Sequence, residues 1–78
     1  MVYNVYALRD LVRACYTENT LFIALTHAEA VRMVKAAKLP YIEDCQLYYL
    51  GEFNLEKGLT EAVPQLIKSF APEVDNHE

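Results

Sequence analysis

One segment of this 78-residue chain carries a complete helix signature, and it is the clearest local signal in the sequence. Thr26-His27-Ala28-Glu29 fits a capping box, in which the Thr hydroxyl accepts from the Glu29 amide and the Glu29 carboxylate returns to the Thr26 amide. Leu25 stands at the staple position just before it. Ala30, Val31, Val34 and Ala37 then recur at helical spacing, while Arg32, Lys35 and Lys38 share the solvent side. Pro40 stops the helix near Lys38, because the residue before a proline avoids the α region.

The flanking segments read as strands. Val2–Leu8 is rich in Val and Tyr with no helix breaker, and Arg9-Asp10 ends it. Val12–Tyr16 reads as a second strand or extended edge, Thr17–Thr20 as a polar turn, and Leu21–Leu25 as a buried strand. Gln46–Asn54 reads as the last strand, with Leu47, Tyr49 and Phe53 on one face and Tyr48, Leu50 and Glu52 on the other. Asn54–Gly58 is a loop, and Pro64–Phe70 opens with proline at a first helical position and predicts a short C-terminal helix. The predicted fold is α+β: a three- to four-stranded, mostly antiparallel sheet with one main helix packed on it and a short C-terminal helix. Residues 1–72 form a single domain, followed by an acidic, disordered tail over 73–78.

Composition adds a constraint on surface. Hydrophobic residues make up 54% of the chain, yet a domain this small buries only about 60–65% of its unfolded surface. Disorder is thereby excluded for most of the chain, and part of the apolar surplus is expected to serve a ligand-binding or homo-oligomeric surface. A dimer or larger closed assembly is expected, built on an open sheet edge at Val12–Tyr16 or Val2–Leu8, since Leu21–Leu25 is too apolar for a solvated margin.

The net charge of −4 is unevenly placed. Residues 1–42 hold five cations against three acids, a net of +2, and residues 43–78 hold two against eight, a net of −6. The total argues against non-specific nucleic-acid binding, but the first half can present a basic face. Cys15 and Cys45 stand alone with no C-x-x-C spacing, and His27 and His77 are isolated, so no zinc site is expected and both thiols read as reduced core cysteines. The longest apolar run, Leu21–Leu25, is far too short to cross a membrane as a helix, and no leader pattern opens the chain.

The same inventory argues against catalysis. No Ser-His or Cys-His pairing has spacing support, and His27 reads as a solvent-facing first-turn residue. With only Gly51 and Gly58, no phosphate-cradling loop can be built; no cofactor and no small-molecule substrate is expected. The six tyrosines are the better lead, because binding a single strand needs flat faces for bases and cations for phosphates. Tyr3, Tyr6, Tyr16 and Tyr48 supply the faces; Arg9, Arg13, Arg32, Lys35 and Lys38 supply the cations. The plain alternatives are that strand tyrosines serve packing and that the helix cations form a solubilising face.

Three segments together resemble a known family: VYALRD (5–10), LFIALTHAEAVR (21–32) and DCQLYYLGEFNLEKG (44–58). They are similar to the small nonstructural protein of gokushoviruses, the fifth-open-reading-frame family of tailless icosahedral single-stranded-DNA phages. The closing LYYLGEFNLEKG is the most specific part. VRACYTENT stands where that family has a glycine and prolines, and KLPYIED replaces a longer Asp/Pro-rich loop. The resemblance implies a protein of the host cytoplasm that assists single-stranded genome replication or packaging by binding DNA. The competing expectation is a protein-interaction module that docks on a viral or host replication protein or on the procapsid.

Overall fold

The computed structural model describes residues 2–71, with side chains described for all of these but 18–20. Four strands and one helix follow in the order β1 (Val2–Asp10), β2 (Cys15–Ala24), α1 (His27–Ala37), β3 (Cys45–Asn54) and β4 (Gly58–Ser69), with a single 3-10 turn at Ile42–Asp44 before β3. The sheet is antiparallel throughout, in the order β2-β1-β3-β4. The tail expected over 73–78 lies outside the described residues.

The helix forms as its capping pattern predicts, with one change. Thr26 Oγ1 accepts from the Glu29 amide at 3.1 Å, but the Glu29 carboxylate reaches one residue further back, to the Leu25 amide at 2.8 Å. Lys38 closes the helix in the left-handed region (φ 52°), before Pro40 can end it. Ala30 and Val34 are fully buried against Tyr6, Leu8, Ala24, Cys45 and Leu47 on one sheet face. Phe22, Tyr49 and Ile67 pack around this core.

Three expectations from the sequence are corrected. Residues 11–14 form a turn rather than a strand: Asp10 Oδ1 accepts from the Val12 and Arg13 amides, and Ala14 takes φ 58°. Thr17–Thr20 is no turn, because β2 runs through it as one long strand. The expected helix over Pro64–Phe70 does not form: Pro64–Ser69 is the second half of β4, and Phe70 lies just beyond it. Asn54 Oδ1 accepts from the Glu56 and Lys57 amides, and Gly58 takes φ 78°, which folds the chain back into a hairpin. Pro64 survives in a strand because β4 is an edge, where its missing N–H breaks no ladder.

Bulges set the shape of the sheet. Ala7 pairs with Leu21 and Arg9 with Tyr16, so residues 17–20 of β2 stand opposite Leu8 alone. Tyr49 pairs with Gln65 and Gly51 with Glu61, so residues 62–64 of β4 stand opposite Leu50. Leu50 is itself an extra residue against β1, where Val5 pairs with Gly51 and Tyr6 with Tyr49. That bulge resets the alternation: Phe53 pairs with Tyr3 and leaves the Leu47–Tyr49 face on which the sequence pattern placed it. β1 lies between β2 and β3, so Val2–Leu8 is no open edge; the edges are β2 and β4.

Candidate nucleic-acid interface

Helix α1 covers one sheet face; the other faces away from it, with Val5 and Ala7 of β1 buried at its centre and Leu21, Ile23 and Leu66 exposed around them. Alternation along β1 sends Tyr6 and Leu8 to the helix side and Tyr3, Val5, Ala7 and Arg9 to the open side. Cross-strand pairing extends the open face to Tyr16, Leu21 and Ile23 on β2, to Gln46 and Tyr48 on β3, and to Leu66 on β4.

At the Arg9 end of this face the polar and aromatic groups converge. The Arg9 guanidinium lies 5.6 Å over the centre of the Tyr16 ring, and its Nη2 donates to the Ala14 carbonyl at 3.2 Å. Tyr16 and Tyr48 meet edge to face with centroids 6.3 Å apart. The Tyr48 hydroxyl donates to Gln46 Oε1 at 3.1 Å, which leaves the Gln46 amide hydrogens for another partner. Arg13 projects from the adjoining β1–β2 turn, its side chain 81% exposed and 3.9 Å from the Asp10 carboxylate in an ion pair. A cleft of about 450 Å³ opens beside this cluster, lined by Asp10, Arg13, Cys15, Tyr16, Thr17 and Tyr41. Flat aromatic faces, two arginines and an amide side chain make a surface on which bases can stack while phosphates are neutralised.

The structure divides the residues singled out from the sequence. Arg9, Arg13, Tyr16 and Tyr48 come together; Tyr3 shares the open face but stands six residues along β1 from Arg9, roughly 20 Å away at the strand rise. Tyr6 is corrected: it is fully buried under the helix and offers no surface to a base. Its hydroxyl accepts from Asn4 Nδ2 at 3.1 Å and lies 2.5 Å from His27 Nδ1, while its ring meets Tyr49 edge-on. Burial pushes the Tyr6 phenol above its ordinary value. His27 is therefore an exposed first-turn residue whose ring nonetheless packs against the rings of Tyr6 and Tyr49. Arg32, Lys35 and Lys38 are exposed and form no ion pair among the described residues, but they ride on the helix, on the other side of the sheet from the tyrosine–arginine cluster.

Some contributors were not visible in the sequence. Gln46 and Tyr41 joined the site through strand register and the loop before β3. The two thiols also separate: Cys45 is buried, which pushes its pKa up, whereas Cys15 is exposed at the cleft and is not a core residue. Among the described residues no group of three or more His, Cys, Asp or Glu side chains is placed to hold a metal ion. No described helix is long and apolar enough to cross a membrane.

The sequence over residues 3–72 matches the family described as phage ORF5 protein. The chain belongs to this phage protein family. Comparison with curated proteins and with solved structures gives no match. The match covers the helix and all four strands except Val2 at the start of β1.

Proposed function

We propose that this phage ORF5 protein is a non-enzymatic, sequence-tolerant single-stranded-DNA-binding accessory of a gokushovirus-type phage, acting in the host cytoplasm during genome replication or packaging. The observation that carries the reading is the convergence of Arg9, Arg13, Tyr16 and Tyr48 at one end of an uncovered sheet face. Bases stack on Tyr16 and Tyr48, and the two arginines meet the phosphates; removing one stacking ring costs about 1–3 kcal/mol per base. The family membership supports the phage setting, and a small single-stranded-DNA phage gives such a surface a substrate.

The test is an electrophoretic shift with single-stranded and duplex oligonucleotides over a range of salt. Single strands are expected to bind in preference to duplex, with log affinity falling against log salt by roughly 0.7 per phosphate contact. Tyr48→Ala and Arg9→Ala are expected to weaken binding, and Tyr48→Ala to leave the salt slope unchanged. Absence of binding at micromolar protein would instead favour docking on a viral or host replication protein or procapsid. The aliphatic part of the same face favours that second reading.

A further inference from the structure

The open face carries more apolar surface than base stacking uses. Beyond the Arg9 end, Val5, Leu21, Leu50, Leu59, Ala62 and Pro64 line a trough of about 260 Å³, and Glu61 is the one charged side chain on its described wall. Leu21 is 64% exposed, and Ile23, Leu59 and Leu66 are each close to half exposed. The run Leu21–Leu25, which the sequence suggested was too apolar for a margin, lies at the margin of the sheet. Such a stretch is stable in solution when something covers it.

The sheet edges do not invite a partner. The bulge at residues 17–20 interrupts β2, the bulge at 62–64 interrupts β4, and Pro64 has no N–H to offer. Interruptions of this kind deter edge-to-edge pairing. Whatever buries this surface therefore approaches face-on.

We propose that a second copy of this chain covers the trough, sheet face against sheet face. The face is self-complementary in charge: Arg9 stands at one end on β1, and Glu61 stands at the level of Val5 on β4. A two-fold axis between facing sheets, oblique to the strands, sets Arg9 of one copy opposite Glu61 of the other and the reverse. One geometry thus forms two ion pairs around an aliphatic centre. Four strands about 4.8 Å apart and about ten residues long present roughly 600 Å² in projection. Side-chain relief raises the accessible area toward the ~800 Å² per partner of a standard interface.

Tyr16 lines the trough and also stacks under Arg9, so the second copy and a DNA strand use overlapping groups. The dimer is then the DNA-free form, and each partner displaces the other by mass action. Only this competition rests on the DNA reading; the dimer is measured without DNA.

Light scattering of the full chain without DNA is expected to give twice the 9.0 kDa monomer mass at micromolar concentration. Leu21→Glu and Leu66→Glu, both at exposed positions, are expected to return the mass to that of the monomer with an unchanged circular dichroism spectrum. Glu61→Arg is expected to weaken the dimer at least tenfold, and Arg9→Glu combined with Glu61→Arg to restore it. A monomer mass for the parent at every concentration overturns the proposal, as does a dimer that survives both Leu→Glu variants. Adding a short oligo-dT is expected to convert the dimer into complexes holding one protein each. A dimer that binds oligo-dT without dissociating overturns the shared face. A dimer that ignores oligo-dT leaves the dimer standing and refutes the DNA reading alone.

Discussion

Gly51 shows how tightly a single residue can constrain this sheet. It adopts φ 148°, and a Cβ built there would meet the Thr60 carbonyl oxygen of β4 at 2.3 Å and the Glu61 Cα at 3.0 Å. Hydrogen in place of a side chain lets β4 cross close to β3 beside the Leu50 bulge, and that crossing raises the trough wall. Gly51→Ala is expected to cost about 2–3 kcal/mol or more, because backbone strain and a backbone clash act together. Chemical denaturation measures it, and a loss below about 0.5 kcal/mol would show that β4 does not lie this close. Gly58, with open space around its Cα, is expected to tolerate Ala better despite φ 78°.

Tyr6 sets a pH limit at the same scale. Its phenol pKa is raised by burial, with smaller upward pushes from Tyr49 and Glu29, against a lowering hydrogen bond from Asn4. A raised acid pKa means that the folded state holds its proton more tightly than the unfolded chain. The stability it contributes is full below the ordinary value of 10.0 and is lost as pH rises beyond it. Cys45, raised by burial and by Asp10 and Asp44, acts in the same direction from 9.0 upward. Thermal midpoints are expected to fall above pH 9–10, and Tyr6→Phe with Cys45→Ala is expected to flatten that fall.

Helix α1 separates two electrostatic hypotheses. Arg32, Lys35 and Lys38 point into solvent from the side of the molecule away from Tyr16 and Tyr48. Replacing Arg32 and Lys35 together by Glu is expected to change unfolding by no more than about 0.5 kcal/mol. The same variant is expected to weaken DNA binding less than Arg9→Glu combined with Arg13→Glu. The reverse ranking would move the phosphate track to the helix. Strand β4 offers a second contrast, since nearly all of it is exposed on both faces while β1 and β3 form the centre of the sheet. Amide exchange is expected to be slowest in β1 and β3 and much faster in the Leu59–Val63 part of β4. Equal protection across the sheet at high protein concentration, lost on dilution, is the signature of the second copy.

At the scale of the whole molecule, the described residues form a sheet of four strands, each 9 to 12 residues long, that carries a single 11-residue helix. One helix cannot cover it, so much of the 54% hydrophobic content remains on the far face and along β4. The open face follows from that shortage, whichever partner covers it. The α+β class, the helix and its cap, strand β1 and strand β3 were legible in the sequence, because hydrophobic period and capping chemistry are local properties. The Leu50 bulge was not legible, and with it the face of Phe53 was misassigned; nothing in LYYLGEF marks where an extra residue enters the ladder except Gly51.

The sequence by itself determined that one capped helix and several strands must share a single small core, and that aromatic and cationic side chains exceed what that core needs. Only the tertiary structure decided which of them meet. Register against β1 put Tyr16, Tyr48 and Arg9 on one face, sent Tyr6 beneath the helix, and left the helix cations on the opposite side. It also turned Pro64–Ser69 from a helix into an edge strand, because the hairpin closed by Asn54 and Gly58 brings β3 alongside to pair with it. The physical reason is the same in each case: alternation and capping are written within a few residues, whereas pairing partners and bulges are chosen between segments far apart in the chain.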